Sequence, residues 1–291
     1  NIEPQIPETV NSALHDDAYF RDAVTGEWME NATNGQDIFT ATDTNDSVLR
    51  AIMDEQGFNV PPTVLPDEQF NQLADQGWTN TYRGINAEND SQLRDYVTQF
   101  TDGDPYVSKG LYGNGIYSTD VRDTAQEYAD TAGIGVGVRG EQREADNGIV
   151  LDMAIHPDAR VIGYDDLVRL AEERVNEVSE TYSQIEDRWP TREVPHPAGE
   201  EFGPWTEKVP LNELKQIPEQ AEFAAEAERV GNYRTIVDSA EDVGKVAAME
   251  GYDVIRVDTP RIYKDGQLVD LPDTYYVILN GGVVAVREPE L

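Results

Sequence analysis

The sequence predicts an α+β domain. Helical periodicities and short strands rich in β-branched and aromatic residues alternate along it, without the even strand–helix–strand rhythm of a doubly wound sheet. Three strand patterns, Asp253–Val257, Tyr275–Leu279 and Val283–Val286, gather near its C-terminal end. Hydrophobic residues make up 38% of the 291 and aromatic residues 9%, enough for a substantial core.

The elements follow in order. Residues 1–45 are polar with scattered apolar positions, and Asn31-Ala32-Thr33-Asn34-Gly35 reads as a turn. This stretch is expected to be an extension or arm ahead of a single domain at 46–291. Asp46-Ser47 to Gly57 reads as a helix with a glycine stop. Two prolines make Asn59–Val64 extended. Pro66-Asp67 opens a helix that Gly77 ends, and Trp78–Gly84 reads as a strand. Asp90 or Ser91 is the expected cap of a helix through Phe100, with Leu93, Tyr96, Val97 and Phe100 on one stripe. A glycine-rich loop at 101–115 leads to a strand at Ile116–Thr119 and a helix, capped by Asp120 or Asp123, through Ala129. Gly133–Gly140 reads as flexible.

Ile149–Ile155 and Arg160-Val161-Ile162 are expected to be strands joined by a turn at Pro157-Asp158. Asp165–Ser183 has a helical stripe of Leu167, Val168, Ala171, Val175 and Val178. The segment 184–218 holds Pro190, Pro195, Pro197, Pro204 and Pro210 together with Trp189 and Trp205, and reads as a long irregular insertion. Ala221–Val230 is helical. Ser239-Ala240-Glu241-Asp242 resembles a capping box for a helix ending at Gly251. Asn280-Gly281-Gly282 is expected to close a tight hairpin between the last two strands.

Composition excludes several chemistries. There is no cysteine, hence no disulfide, thiolate nucleophile or cysteine metal site. The three histidines, His15, His156 and His196, have no ligand spacing, so no metal centre is expected. No run of 18 apolar residues suggests a membrane span. Asn1-Ile2-Glu3-Pro4 is polar and does not read as a signal peptide, and the chain starts without Met, as a processed or trimmed end would. Asp and Glu number 57 against 22 Lys and Arg, a net charge of -35. Such a surface repels nucleic acid and anionic membranes, so neither is an expected partner. Adaptation to high salt and solubility inside a crowded particle both explain it better than nucleic-acid mimicry, which seldom needs so much core. Only five of the basic residues are Lys, which leans toward high salt.

Three segments carry candidate chemistry. Thr81-Tyr82-Arg83-Gly84 ends a strand with a guanidinium, whose planar fork suits phosphate or a ribose edge, and a glycine that permits close approach. Gly113-Asn114-Gly115-Ile116-Tyr117-Ser118-Thr119-Asp120, followed by Ala125-Gln126-Glu127-Tyr128-Ala129, offers two rings for stacking and two hydroxyls for orientation. Asp273–Val286 is by itself an ordinary buried strand pair. Each segment also has a plain structural reading: a surface ion pair, a glycine turn before a core strand, and core.

Taken in order and spacing, the three resemble the ADP-ribosyltransferase superfamily. Arg83-Gly84 is similar to its first motif, Arg in the toxin-like branch and His in the polymerase-like branch. Tyr117-Ser118-Thr119-Asp120 is similar to the Ser-Thr-Ser strand of the toxin-like branch. Gly115-Ile116-Tyr117 with Ala125-Gln126-Glu127-Tyr128 resembles the polymerase-like branch, where two tyrosines flank the nicotinamide. From about Leu49 to Val286 the chain also looks like domains of phage head-morphogenesis-type proteins and related effector toxins. Further cues are Pro62-Thr63-Val64, His156-Pro157-Asp158-Ala159-Arg160-Val161-Ile162, Gly251-Tyr252-Asp253 and Tyr275-Tyr276-Val277-Ile278-Leu279-Asn280.

The resemblance implies a split-sheet core of two packed antiparallel or mixed sheets with flanking helices, and NAD as the cofactor. It implies that Arg83 holds the NAD phosphates or ribose, with Gly84, Gly115, Tyr117, Ser118, Thr119 and Tyr128 completing the cleft. One family position departs. The catalytic glutamate falls on Tyr275 by the polymerase-like alignment, and the Glu-x-Glu pair on Thr274 and Tyr276 by the toxin-like one. Asp273 is the first candidate to replace it, ahead of Glu127 and Asp253. The expected activity is mono-ADP-ribosyl transfer from NAD to a protein acceptor, by a virion-associated protein or a secreted or injected effector. Two alternatives stand beside it: an inactive structural protein docking with other virion proteins, and an NAD glycohydrolase toxin.

Overall fold

The computed structural model describes residues 47–87, 89–103, 112–132, 143–144, 147–195, 204–238, 243–264, 267–270 and 272–290. The expected arm at 1–45, the stretch at 133–140 read as flexible and the capping box at 239–242 lie outside them.

The helices are α1 (Ser47–Gln56), α2 (Asp67–Phe70), α3 (Asp90–Thr101), α4 (Arg122–Asp130), α5 (Tyr164–Asp187), α6 (Leu211–Leu214), α7 (Ala221–Asp238) and α8 (Val243–Met249). The strands begin with β1 (Thr63–Leu65), β2 (Thr79–Ala87), β3 (Ile116–Thr119), β4 (Thr131–Ala132), β5 (Arg143–Glu144), β6 (Asn147–Ile155) and β7 (Val161–Gly163). They continue with β8 (Thr191–Val194), β9 (Trp205–Lys208), β10 (Val254–Asp258), β11 (Arg261–Lys264), β12 (Gln267–Asp270), β13 (Thr274–Ile278) and β14 (Val284–Arg287). Eight strands form one mixed sheet in the order β1-β14-β6-β2-β3-β13-β10-β7. The pairs β4–β5, β8–β9 and β11–β12 are separate two-stranded ribbons. The α+β expectation holds at this level.

The sheet is nearly divided in its middle. β2 pairs with β6 from Thr79↔Ile155 to Ala87↔Asn147. It meets β3 only at Tyr82↔Thr119. Two four-stranded halves therefore share a single register pair. Strand alternation sends Ile85, Leu151 and Met153 of one half and Ile116, Ile278 and Val254 of the other into a common apolar layer, which α3 joins through Leu93, Val97 and Phe100. The opposite face of the second half, with Ile255, Val277 and Leu279, is covered by α1, α5, α7 and α8. Phe70 and Leu73 cover Ala154 and Ala285 on the outer face of the first half.

Several local expectations change. Asn89, not Asp90 or Ser91, caps α3: its side chain accepts from the Gln92 amide at 3.0 Å. Tyr96 stands exposed, off the buried stripe. The segment 184–218 is more regular than expected. α5 runs on to Asp187, β8 and β9 pair, and the Trp189 indole donates to the Val209 carbonyl at 2.8 Å.

The expected closing hairpin is absent. β13 pairs with β3 and β10, whereas β14 pairs with β1 and β6. Asn280-Gly281-Gly282 instead carries the chain across between the halves through a short 3-10 turn at Gly281–Val283. The glycine is needed because the Val60 carbonyl oxygen stands 2.3 Å from where a Cβ at position 281 would lie. β6 and β7 likewise part after Pro157-Asp158, one to the middle of the first half and the other to the edge of the second.

Candidate functional site

The site is built on α4, which lies at the join between the half-sheets. The Thr119 hydroxyl accepts from the Val121 amide at 3.2 Å as strand turns into helix. Asp120 exchanges two bonds with Thr274, accepting its amide on Oδ1 at 2.8 Å and donating its own amide to the Thr274 carbonyl at 3.1 Å. The helix then lies directly on strand backbone. A Cβ at Gly84 would stand 2.1 Å from the Ala125 carbonyl oxygen, and one at Gly148 would stand 2.0 Å from that of Ala129. Asn86 fastens the end of α4 by donating to the Tyr128 carbonyl at 2.8 Å.

This packing brings a polar cluster together beside the core of the second half-sheet. The hydroxyls of Tyr128 and Tyr275 lie 3.3 Å apart. Asp273 is only 5% exposed, and its Oδ2 accepts a hydrogen bond from Thr124. Tyr117 is clamped at its tip: its hydroxyl accepts from the Tyr112 amide at 2.9 Å and donates to the Gly113 carbonyl at 2.7 Å. Tyr112 in turn packs edge-on against Tyr164, centroids 5.0 Å apart. Burial, reinforced by the neighbouring Tyr128 phenol and the Asp273 carboxylate, pushes the Tyr275 hydroxyl far above the usual tyrosine range. Burial raises Tyr128 as well, partly offset by its bond to Tyr275. Both phenols are therefore protonated at neutral pH and can act as hydrogen-bond donors.

The sequence-predicted residues divide across the sheet. Tyr117, Thr119, Tyr128 and Asp273 belong to the α4 side. Arg83 and Ser118 alternate to the inner face, the face of Ile85 and Ile116. Arg83 is half-buried and donates from Nη1 to the Tyr117 carbonyl at 2.9 Å, across the gap where β2 and β3 diverge. The Ser118 hydroxyl is buried with no hydrogen-bond partner among the described residues. Gly84 and Gly115 were expected to admit a ligand. The space beside Gly84 is filled by α4, and a Cβ at Gly115 would stand 2.3 Å from Val277 Cγ1.

Of the other two candidate acids, Glu127 points outward, exposed. Asp253 is a structural clamp: Oδ2 accepts from the Arg160 amide at 2.7 Å and Oδ1 from Asn280 Nδ2 at 2.6 Å. Asp273 is thus the one candidate acid inside the tyrosine cluster. Sequence reading passed over Thr124. Its signal was the four-residue spacing to Tyr128, which puts both side chains on one face of α4.

Compared with protein-family models, curated proteins and solved structures, the chain finds no match.

Proposed function

We propose that this protein is a mono-ADP-ribosyltransferase that uses NAD as donor, with the nicotinamide end of the dinucleotide received at the Tyr117–Tyr128–Tyr275–Asp273 cluster. The observation that carries the reading is the meeting of Tyr128 with Tyr275, from segments 147 positions apart, and a buried carboxylate; Tyr275 occupies the position the resemblance gives to glutamate, and Asp273 stands two residues before it in the chain. A sheet in two halves around a shared apolar layer supports it at the level of the fold.

In the reaction, the bond between the ribose C1′ and the nicotinamide nitrogen breaks. Nicotinamide leaves with the bonding electrons, and positive charge grows on the sugar. A fixed carboxylate stabilises that charge more in the transition state than in the ground state, which is the role given to Asp273. A nucleophile of the acceptor protein then bonds to C1′ and releases its proton. Tyr117 and Tyr128 supply ring surface for the nicotinamide. Arg83 braces the Tyr117 strand from the inner face.

The second reading is a structural particle protein that keeps the fold without turnover. Its support is that Gly84 and Gly115 are closed over by the chain's own atoms, and that a phenol stands at the glutamate position.

Labelled NAD incubated with the protein and a cell lysate, at low and at molar salt, separates the readings. Transferase activity appears as nicotinamide release together with labelled protein, and Asp273→Asn lowers it by about a hundredfold or more. Nicotinamide release without labelled protein marks a glycohydrolase. No release and no NAD-dependent change in melting temperature, at either salt, leaves the structural reading.

A further inference from the structure

We infer that Thr124 is the positioning residue for Asp273, holding its carboxylate in the place from which it acts; the inference rests on the transferase reading of this cluster. Asp273 immediately precedes β13, outside that strand's ladder. The backbone just after it is fixed by the exchange of bonds between Thr274 and Asp120. The side chain is fixed by something else: among the described residues, the Asp273 carboxylate accepts a hydrogen bond only from the Thr124 hydroxyl.

Thr124 is well placed for this. It is half-buried in the first half of α4, one turn before Tyr128, so the helix that carries one aromatic wall also carries the donor for the acid. α4 is seated directly on strand backbone at Gly84 and Gly148, with no room for a Cβ between. The donor therefore sits on a helix packed directly against the sheet, and its bond orients a carboxylate one methylene shorter than the glutamate the family pattern calls for. A bond to one carboxylate oxygen leaves the other to face the sugar. Hydrogen bonds to charged groups are among the stronger ones in proteins, so losing this one should cost rate and not merely local order.

The test is steady-state nicotinamide release by the full chain, comparing wild type with Thr124→Val, Thr124→Ser, Asp273→Asn and the double variant Thr124→Val/Asp273→Asn, with each melting temperature recorded. Val matches the shape of Thr and removes only the donor. The expected result is a kcat for Thr124→Val lowered about tenfold or more with KM unchanged. Ser, which keeps the donor, should recover most of the rate, and the double variant should be no slower than Asp273→Asn alone. An active wild type whose rate survives Thr124→Val overturns the inference and leaves the transferase reading standing. So does a Thr124→Val loss that simply adds to that of Asp273→Asn, or one that Ser does not recover. A wild type that releases no nicotinamide at either salt overturns the transferase reading itself, and this inference with it.

Discussion

At the scale of single residues, Arg83 has the most to explain. Its spacing before Gly84 suggested a ligand contact, but its guanidinium serves the join between the half-sheets. β2 meets β3 at the single pair Tyr82↔Thr119 and diverges from it beyond, and side chains of β2 reach the carbonyls of Tyr117 and Thr119. Arg83 takes the first at 2.9 Å and the Thr81 hydroxyl takes the second at 2.9 Å. A buried carbonyl is costly to leave unbonded, so these side chains add hydrogen bonds where the ladder between β2 and β3 stops. Arg83→Ala is expected to lower the unfolding free energy by about 1–3 kcal/mol in a urea titration. A variant as stable as wild type would refute the bracing role and return Arg83 to the list of ligand contacts. Asp253 gives a similar lesson: a buried carboxylate beside a strand start is used to tie Arg160 and Asn280 together.

At the scale of elements, α4 decides the geometry of the site. It lies against β2 and β6 at Gly84 and Gly148, strand positions where a methyl group would meet the carbonyl oxygen of Ala125 or Ala129. Gly84→Ala and Gly148→Ala should each destabilise by about 1–3 kcal/mol, because the helix must lift to admit the added carbon. The double variant should cost less than the sum, since both substitutions displace the same helix. Thermal melts of the three variants test this, and strict additivity would count against a shared displacement of α4. Much at this scale was legible beforehand. The spacing of Leu93, Val97 and Phe100 gave α3, and the apolar alternation of Ile149–Ile155 gave the core of β6, because such periods are local. The closing hairpin was misread for the opposite reason. Asn-Gly-Gly between two apolar strands is a strong local turn signal, but the approach of the Val60 carbonyl to Gly281 is a contact across more than two hundred residues of chain.

At the scale of the whole molecule, charge dominates. A net of -35 on 291 residues makes the compact state repel itself. Many described basic side chains are engaged with carboxylates, as in Arg174 with Glu250 and Glu177, Arg192 with Glu207 and Glu213, and Lys208 with Glu186. These pairs relieve only part of the excess. Among the described residues no helix is long and apolar enough to cross a membrane. Screening by salt should therefore stabilise the fold. The melting temperature is expected to climb steadily from dilute buffer to molar NaCl, and a flat or falling curve would show that self-repulsion is not the limiting term.

The sequence by itself determined the α+β class, the positions of most helices and strands, the absence of cysteine chemistry and the acidic surface. Each follows from composition or from a period that repeats within a few residues. It also singled out Tyr117, Tyr128 and Asp273 as candidates. Only the tertiary structure decided which face of the sheet each candidate occupies, that Arg83 and Ser118 part from Asp273, that Gly84 receives a helix, and that Thr124 reaches the acid. Those outcomes depend on which strands become neighbours, and strand partners are chosen by side-chain packing between segments far apart in the chain.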